Sequence, residues 1–260
     1  MRRGARHVAT VGDLAKAWTV RTLRARYQQS VLGWSWAVIQ PIATVAVFTI
    51  VFTRFVRIDT GGVPYIVFAY TALVPWTLLA TALPDMATSL VSNFNLVSKI
   101  YFPREALPIA ALAARLVDFG ISIILLAVLV VAFHTHVSPP WVLFLPVILL
   151  IQLALILGLG LGSAALNVFY RDVDPVLKLL LQLWFYASPI IYPASLVPQR
   201  WQWLYFANPM AGIIESYRDV LLTHEAPGWY LVPAAFGAVL LLVTGYGFFR
   251  RVEGRFADVI

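Results

Sequence analysis

Cysteine is absent from this chain of 260 residues, so neither a disulfide nor a thiolate metal site holds it together. Lysine is scarce as well. Lys16, Lys99 and Lys178 follow Ala15, Ser98 and Leu177, which rules out the G-x-x-x-x-G-K-[ST] loop that cradles nucleotide phosphates. The H-E-x-x-H and G-x-S-x-G patterns of metalloproteases and serine hydrolases do not occur. Charge is sparse. Charged residues make up 12% of the chain and hydrophobic ones 61%, with a mean hydropathy of +0.82, and no water-soluble fold hides that much apolar surface. The alternation of outer-membrane barrel strands is also missing.

What the chain has instead is uncharged sequence in long runs. No charge falls between Arg26 and Arg54, Asp59 and Asp85, Asp118 and Arg171, Lys178 and Arg200, or Glu225 and Arg250. The third interval holds two crossings once it is broken at His134–Pro140. A bilayer core of about 30 Å takes roughly 20 apolar residues per helix. Six spans follow, near 34–53, 64–84, 109–133, 142–167, 176–192 and 231–249. Lipid leaves exposed strand edges unsatisfied, so all are expected to be helical. The fifth is short and interrupted by Pro189, so it is either a re-entrant segment or a crossing that reaches a workable length when counted from Val176 with Lys178 snorkelling to the interface. With the N-terminus in the cytoplasm, four basic residues of the nineteen lie outside, Arg54, Arg57, Arg200 and Arg218.

The expected fold is therefore all-α and integral to the membrane, one transmembrane domain over residues 1–260. It divides into a cytoplasmic N-terminal segment (1–32), spans one to five (33–192), a segment of short helices (193–230), and the sixth span with a cytoplasmic tail (231–260). Thr10 to Gln29 reads as a helix at the membrane surface or packed on the bundle, with Leu14 and Trp18 on one side and Val20, Leu23 and Tyr27 on another. The basic start is not followed by an apolar run, so no signal peptide is expected. The net charge of +7 suits anionic lipid headgroups, and no soluble basic module is present for nucleic acid.

Reactive side chains are few. His134 and His136 form an H-x-H without further ligands nearby in sequence, so no metal is expected. Glu215, Asp219 and Glu225 precede the last span; a membrane-embedded glycan or lipid enzyme would use such carboxylates but would also need partner histidines or a metal. Only Arg115 and Asp118 intrude into a span, one helical turn apart, and are expected to pair. An ion-driven flippase needs titratable groups deeper than that. Energy for active transport must come from a separate ATPase. Gly158, Gly160 and Gly162 give the fourth span a small-residue face, expected to pack closely within one subunit.

Six motifs then recur in order. Arg26-Tyr27, Ser30–Gly33 and Trp36–Pro41 open the first span, and Pro75-Trp76 lies in the second. Ser98–Glu105 with Leu107-Pro108 enters the third, and Asn167–Asp172 closes the fourth. Ser188–Tyr192 ends the fifth, and Asn208–Met210 follows. The series resembles the membrane subunit of polysaccharide-exporting ABC transporters, the permeases for O-antigen, teichoic acid and capsule chains. The likeness runs over nearly the whole chain.

That resemblance implies a homodimer in the bacterial inner membrane with two copies of a cytoplasmic ATPase. ATP and Mg bind the ATPase, and this chain carries no cofactor. It also implies a pore, chiefly from the first and fifth spans, for a polyprenyl-pyrophosphate-linked glycan, with O-antigen as the leading expectation. Lys99, Tyr101, Phe102, Pro103, Arg104 and Glu105 fall on the loop that would enter the ATPase cleft, with Arg171 and Asp172 as a second cytoplasmic contact capping the fourth helix. Trp201, Tyr205, Asn208, Pro209, Glu215 and Arg218 fall on the outer gate. Helical spacing places Trp36, Gln40 and Thr44 on one side of the first span, and Gln182, Phe185, Tyr186 and Tyr192 on one side of the fifth. Aromatic faces and amide or hydroxyl groups suit a moving sugar chain held weakly at many points. The same residue types also fill ordinary helix contacts.

Overall fold

A helix satisfies its own backbone in lipid, and the described residues form helices and turns without a strand. The computed structural model describes residues 2–27, 36–56, 58–95, 102–133 and 139–256. Helix α1 (Arg2–Tyr27) precedes α2 (Trp36–Ile50), which runs on as a π-helical turn, Val51–Val56. Next come α3 (Tyr65–Thr88), α4 (Ala106–Ala132) and α5 (Leu145–Phe169). After these lie α6 (Val173–Tyr186), the short α7 (Gln199–Tyr205) and α8 (Pro209–Arg218), and finally α9 (Leu231–Val252).

Among the described residues, five stretches are long and apolar enough to cross a membrane: 39–56, 65–88, 106–132, 140–169 and 231–255. They coincide with five of the six expected spans. The one expected over 176–192 differs. Helix α6 has 14 residues, about 21 Å at 1.5 Å per residue and short of a core of about 30 Å. It stops at Tyr186 because Pro189 has no N–H to offer the Phe185 carbonyl, and its ring disfavours helical backbone at Ser188. The expectation of a continuous fifth crossing is corrected accordingly. Helix α1 begins at Arg2 rather than Thr10 and packs on α4, with Ala15 buried and the Thr19 hydroxyl donating to the Ala110 carbonyl of α4 at 3.4 Å.

Helix α3 is the axis of the bundle: 78% of its span is buried, against 6% for the first span. The amide of Gln152, fully buried on α5, donates to the Pro75 carbonyl of α3 at 2.9 Å and accepts from the Tyr217 hydroxyl of α8 at 3.1 Å. The expected pairing of Arg115 is present and larger than foreseen: it reaches Asp118 at 3.3 Å and Asp85 on α3 at 2.7 Å.

Helices α5 and α9 are the most extensively packed pair. A Cβ added at Gly158 would overlap the Leu241 backbone, and one added at Gly245 would overlap the Gly158 carbonyl. Gly158 and Gly162 of α5 therefore seat α9 of the same subunit, as small residues imply, while Gly160 faces the Met86 side chain of α3. Gly247 has no atom within 4 Å of such a Cβ. Gly158→Ala and Gly245→Ala should each cost about 1–3 kcal/mol or more. Gly247→Ala should be neutral or gain up to about 1 kcal/mol from helix propensity. Thermal unfolding in detergent checks this, and three variants with the same melting temperature would contradict the crossing.

Candidate functional site

Where α6 stops, the backbone loses its internal partners, and polar side chains from α8 and α3 take their place. Asn208 is the N-cap of α8 and uses both ends of its amide. Its Oδ1 accepts from the Trp184 indole at 2.7 Å and the Met210 N–H at 3.0 Å. Its Nδ2 donates to the Ser188 hydroxyl at 3.0 Å and the Ala187 carbonyl at 3.3 Å. Arg218, only 3% exposed, donates to the Ile190 carbonyl at 3.1 Å and pairs with Glu215 at 2.7 Å. Its guanidinium also lies 3.6 Å from the centroid of Phe68 on α3. The Tyr65 hydroxyl donates to the Ile191 carbonyl at 2.9 Å. A buried arginine is tolerated only with this density of partners.

Helix α8 is buried against α3, α5 and α9, with Met210, Ile213 and Ile214 fully enclosed. Beside it, Trp184, Val197, Trp201, Leu204, Tyr205 and Pro209 line a mostly apolar groove of about 500 Å³. The Tyr205 hydroxyl donates to that of Tyr192 at 3.2 Å, and Tyr192 donates to the Tyr186 carbonyl at 3.0 Å. Beyond α8, the Asp219 carboxylate accepts from the Tyr230 hydroxyl and from the Gly228 N–H at 3.0 Å. Burial pushes the Asp219 carboxyl up to about 6, against the pull of those two hydrogen bonds. Trp201, Tyr205, Asn208, Pro209, Glu215 and Arg218 thus belong to one connected region.

The expected path residues divide. Gln182 and Tyr186 are exposed on α6, together with Leu179, Leu180 and Leu183. Phe185 is half-buried between these and the bundle, 5.7 Å from Trp76, 6.2 Å from Phe48 and 5.3 Å from Tyr186. On α2, Gln40 is exposed and its carbonyl accepts from the Thr44 hydroxyl at 3.0 Å. Trp36 opens that helix by its backbone; its side chain lies outside the described residues. The α2 surface also exposes Ile39, Ile42, Val47 and Ile50. The two helices named for the path are therefore lightly covered by their own subunit.

At the basic end, Lys99 and Tyr101 lie outside the described residues, as do His134 and His136. Residues 102–105 turn inward. Phe102 packs on a cluster containing Leu107, Val168, Phe249 and Phe256. Arg104 donates to the Glu253 carbonyl, and the buried Glu105 pairs with Arg250 at 3.4 Å. Pro103 accepts from the Ala106 N–H at 3.1 Å as α4 begins. Arg171 and Asp172 form the exposed turn between α5 and α6. Asp172 stands at the N-cap of α6 without a side-chain cap bond, so the expected cap on the preceding helix is corrected. Among the described residues, no three His, Asp or Glu side chains come together as metal ligands.

Asn208→Ala removes a cap worth about 1 kcal/mol and leaves the Trp184 indole without its acceptor, a further loss of about 1–3 kcal/mol. Asn208→Ser keeps the cap alone and should lose less. Detergent melting curves distinguish them, and equal losses would contradict the shared role of the amide.

The chain matches the ABC-2 type transporter family over residues 14–222. It is 28% identical over 248 residues to an O-antigen export system permease protein, RfbA, of Klebsiella pneumoniae, covering 95% of each chain. It is 32% identical over 244 residues to the protein of that name in Myxococcus xanthus, covering 92% of each. A polysialic acid transport protein, KpsM, of Escherichia coli is 23% identical over 243 residues, covering 92% of this chain and 93% of its own. With five stretches among the described residues long and apolar enough to cross a membrane, the match over residues 14–222 makes one conclusion plain: the chain belongs to the ABC-2 type transporter family.

Proposed function

We propose that this chain is the channel-forming subunit of an ATP-driven exporter. It carries a lipid-linked polysaccharide, O-antigen in the first place, from the cytoplasm across the inner membrane of a bacterium. The reading is carried by end-to-end likeness to proteins named for O-antigen export, joined to a bundle without a nucleotide-binding loop of its own. Two copies associate, each served by one copy of a cytoplasmic ATPase that binds ATP and Mg. Both termini face the cytoplasm, which the fifteen-to-four division of basic residues favours.

The dimer seam and pore fall to α2 and α6. Their exposed Ile39, Ile42, Leu179, Leu183 and Tyr186 leave apolar surface for a second copy, while Gln40 and Gln182 offer hydrogen bonds to sugar hydroxyls. Residues 199–218, with the groove beside α8, act as the outer gate. Residues 93–105 and the Arg171–Asp172 turn meet the ATPase. The likeness to a polysialic acid transport protein supports capsule export as the second reading. An enzyme built on Glu215 and Asp219 has less support, because Arg218 and Tyr230 already hold those carboxylates.

Deleting the gene should remove the surface polysaccharide and build up its lipid-linked precursor on the inner leaflet. A hydrolysis-dead ATPase should reproduce both effects. Normal surface polymer in the deletion strain would contradict the proposal. Because the chain lacks cysteine, one introduced thiol reports cleanly on the seam. Leu179→Cys on α6 should crosslink to a dimer and Ile124→Cys on α4 should not, although both side chains are exposed. Crosslinking through α4 alone would contradict the seam.

A further inference from the structure

Helix α9 joins the basic end of the bundle to the α7–α8 end. At the basic end, residues 102–105 lead into α4, yet their side chains reach across to the C-terminal end of α9. Phe102 packs with Phe249 and Phe256. Arg104 donates to the Glu253 carbonyl, and its guanidinium lies 5.8 Å from the Phe256 ring centroid. Glu105 is buried and sits 3.4 Å from Arg250, which also holds Glu253 at 2.9 Å.

At the other end, α9 begins beneath α8. A Cβ on Gly212 would overlap the Tyr230 carbonyl and lie 2.9 Å from the Ala234 Cβ, so the two helices touch through backbone. Phe206 stacks on Tyr230 with centroids 4.7 Å apart, and the Tyr230 hydroxyl holds Asp219 just past α8. Between these two ends, the 22 residues of α9 span about 33 Å. The Gly158–Gly245 crossing fastens the rod to α5, so the pair moves as one body.

We propose that α9 is a push-rod that carries displacement of the 102–105 loop to the gate at α8. Glu105 and Arg250 are the positioning residues that clamp loop to rod. The inference rests on the reading of the chain as an ATP-driven permease, in which a partner ATPase moves that loop. The clamp has three parts: Phe102 packed with Phe249 and Phe256, the Arg104 bond to the Glu253 carbonyl, and the buried Glu105 carboxylate 3.4 Å from Arg250. Motion of the loop therefore drags the end of α9 along. Contact alone does not establish coupling, so the experiment reads both ends of the rod.

The permease is reconstituted with its ATPase in proteoliposomes, with Leu204→Cys on α7 as the sole thiol, an exposed site beside the groove. In this reference protein, ATP should change the rate of thiol labelling several-fold. Arg250→Glu should hydrolyse ATP within about twofold of the reference, lose the ATP-dependent change in labelling, and export at least tenfold less glycan per ATP. The exchange Glu105→Arg with Arg250→Glu should restore both to within about threefold. Arg250→Gln should fall between them, and it carries the comparison if Arg250→Glu does not assemble. Retained labelling change and export in the Arg250 variants would overturn the push-rod. So would an exchange variant that melts at the reference temperature yet stays uncoupled. If the reference protein itself shows neither export nor an ATP response, the ATP-driven reading fails instead.

Discussion

In hydrocarbon, a backbone carbonyl or N–H without a partner costs several kcal/mol, and this chain breaks a helix among its apolar spans. Everything around α8 follows from repairing that break. The carbonyls of Ala187, Ile190 and Ile191 receive their hydrogen bonds from Asn208, Arg218 and Tyr65. Those donors come from α8 and α3, so repair of the break also fixes α8 against the axis of the bundle. Gln152 does the same for α3 and α8 at mid-bundle, through the Pro75 carbonyl and the Tyr217 hydroxyl. Polar groups are rare in the chain, and many of those that are buried stand where the regular backbone fails.

Much of this was legible in the sequence. The charge-free intervals placed five spans, because hydropathy over about 20 residues is a local property that no tertiary contact overrides. The glycines of α5 announced a close helix crossing, and Arg115 announced its pairing with Asp118. The length of α6 was not legible. Pro189 marked a weak point, but whether a helix survives a proline depends on neighbours that re-satisfy the freed groups, and those lie on other helices. Spacing places Gln182, Phe185 and Tyr186 near one another, and only the positions of Trp76 and Phe48 turn Phe185 inward. Asp85 could be read as no more than the end of a span until Arg115 was seen beside it. Gln152, an amide alone in an apolar run, was a signal that went unused.

The basic end departs furthest from the simple picture of a loop presented to a partner. Its aromatic and charged residues were expected to fill a pocket on an ATPase, yet Phe102, Arg104 and Glu105 fasten to the last span of the same chain. A loop gripped in this way is tied to α9, which is the contact the push-rod proposal rests on. The lightly covered helices α2 and α6 show the opposite condition, apolar surface left open within a single subunit. Rigid connection on one side of the bundle and open surface on the other is the division of labour expected of a subunit that both moves and forms a passage with its copy.

The account holds that this chain supplies a path and takes its power from a separate motor. Purified permease, placed in vesicles with and without its ATPase, gives the direct test when transfer of a radiolabelled lipid-linked glycan across the bilayer is measured. Transfer should require both the ATPase and hydrolysable ATP, and should stop with a hydrolysis-dead partner. Uphill transfer by the permease alone, or transfer driven by an ion gradient without ATP, would contradict it.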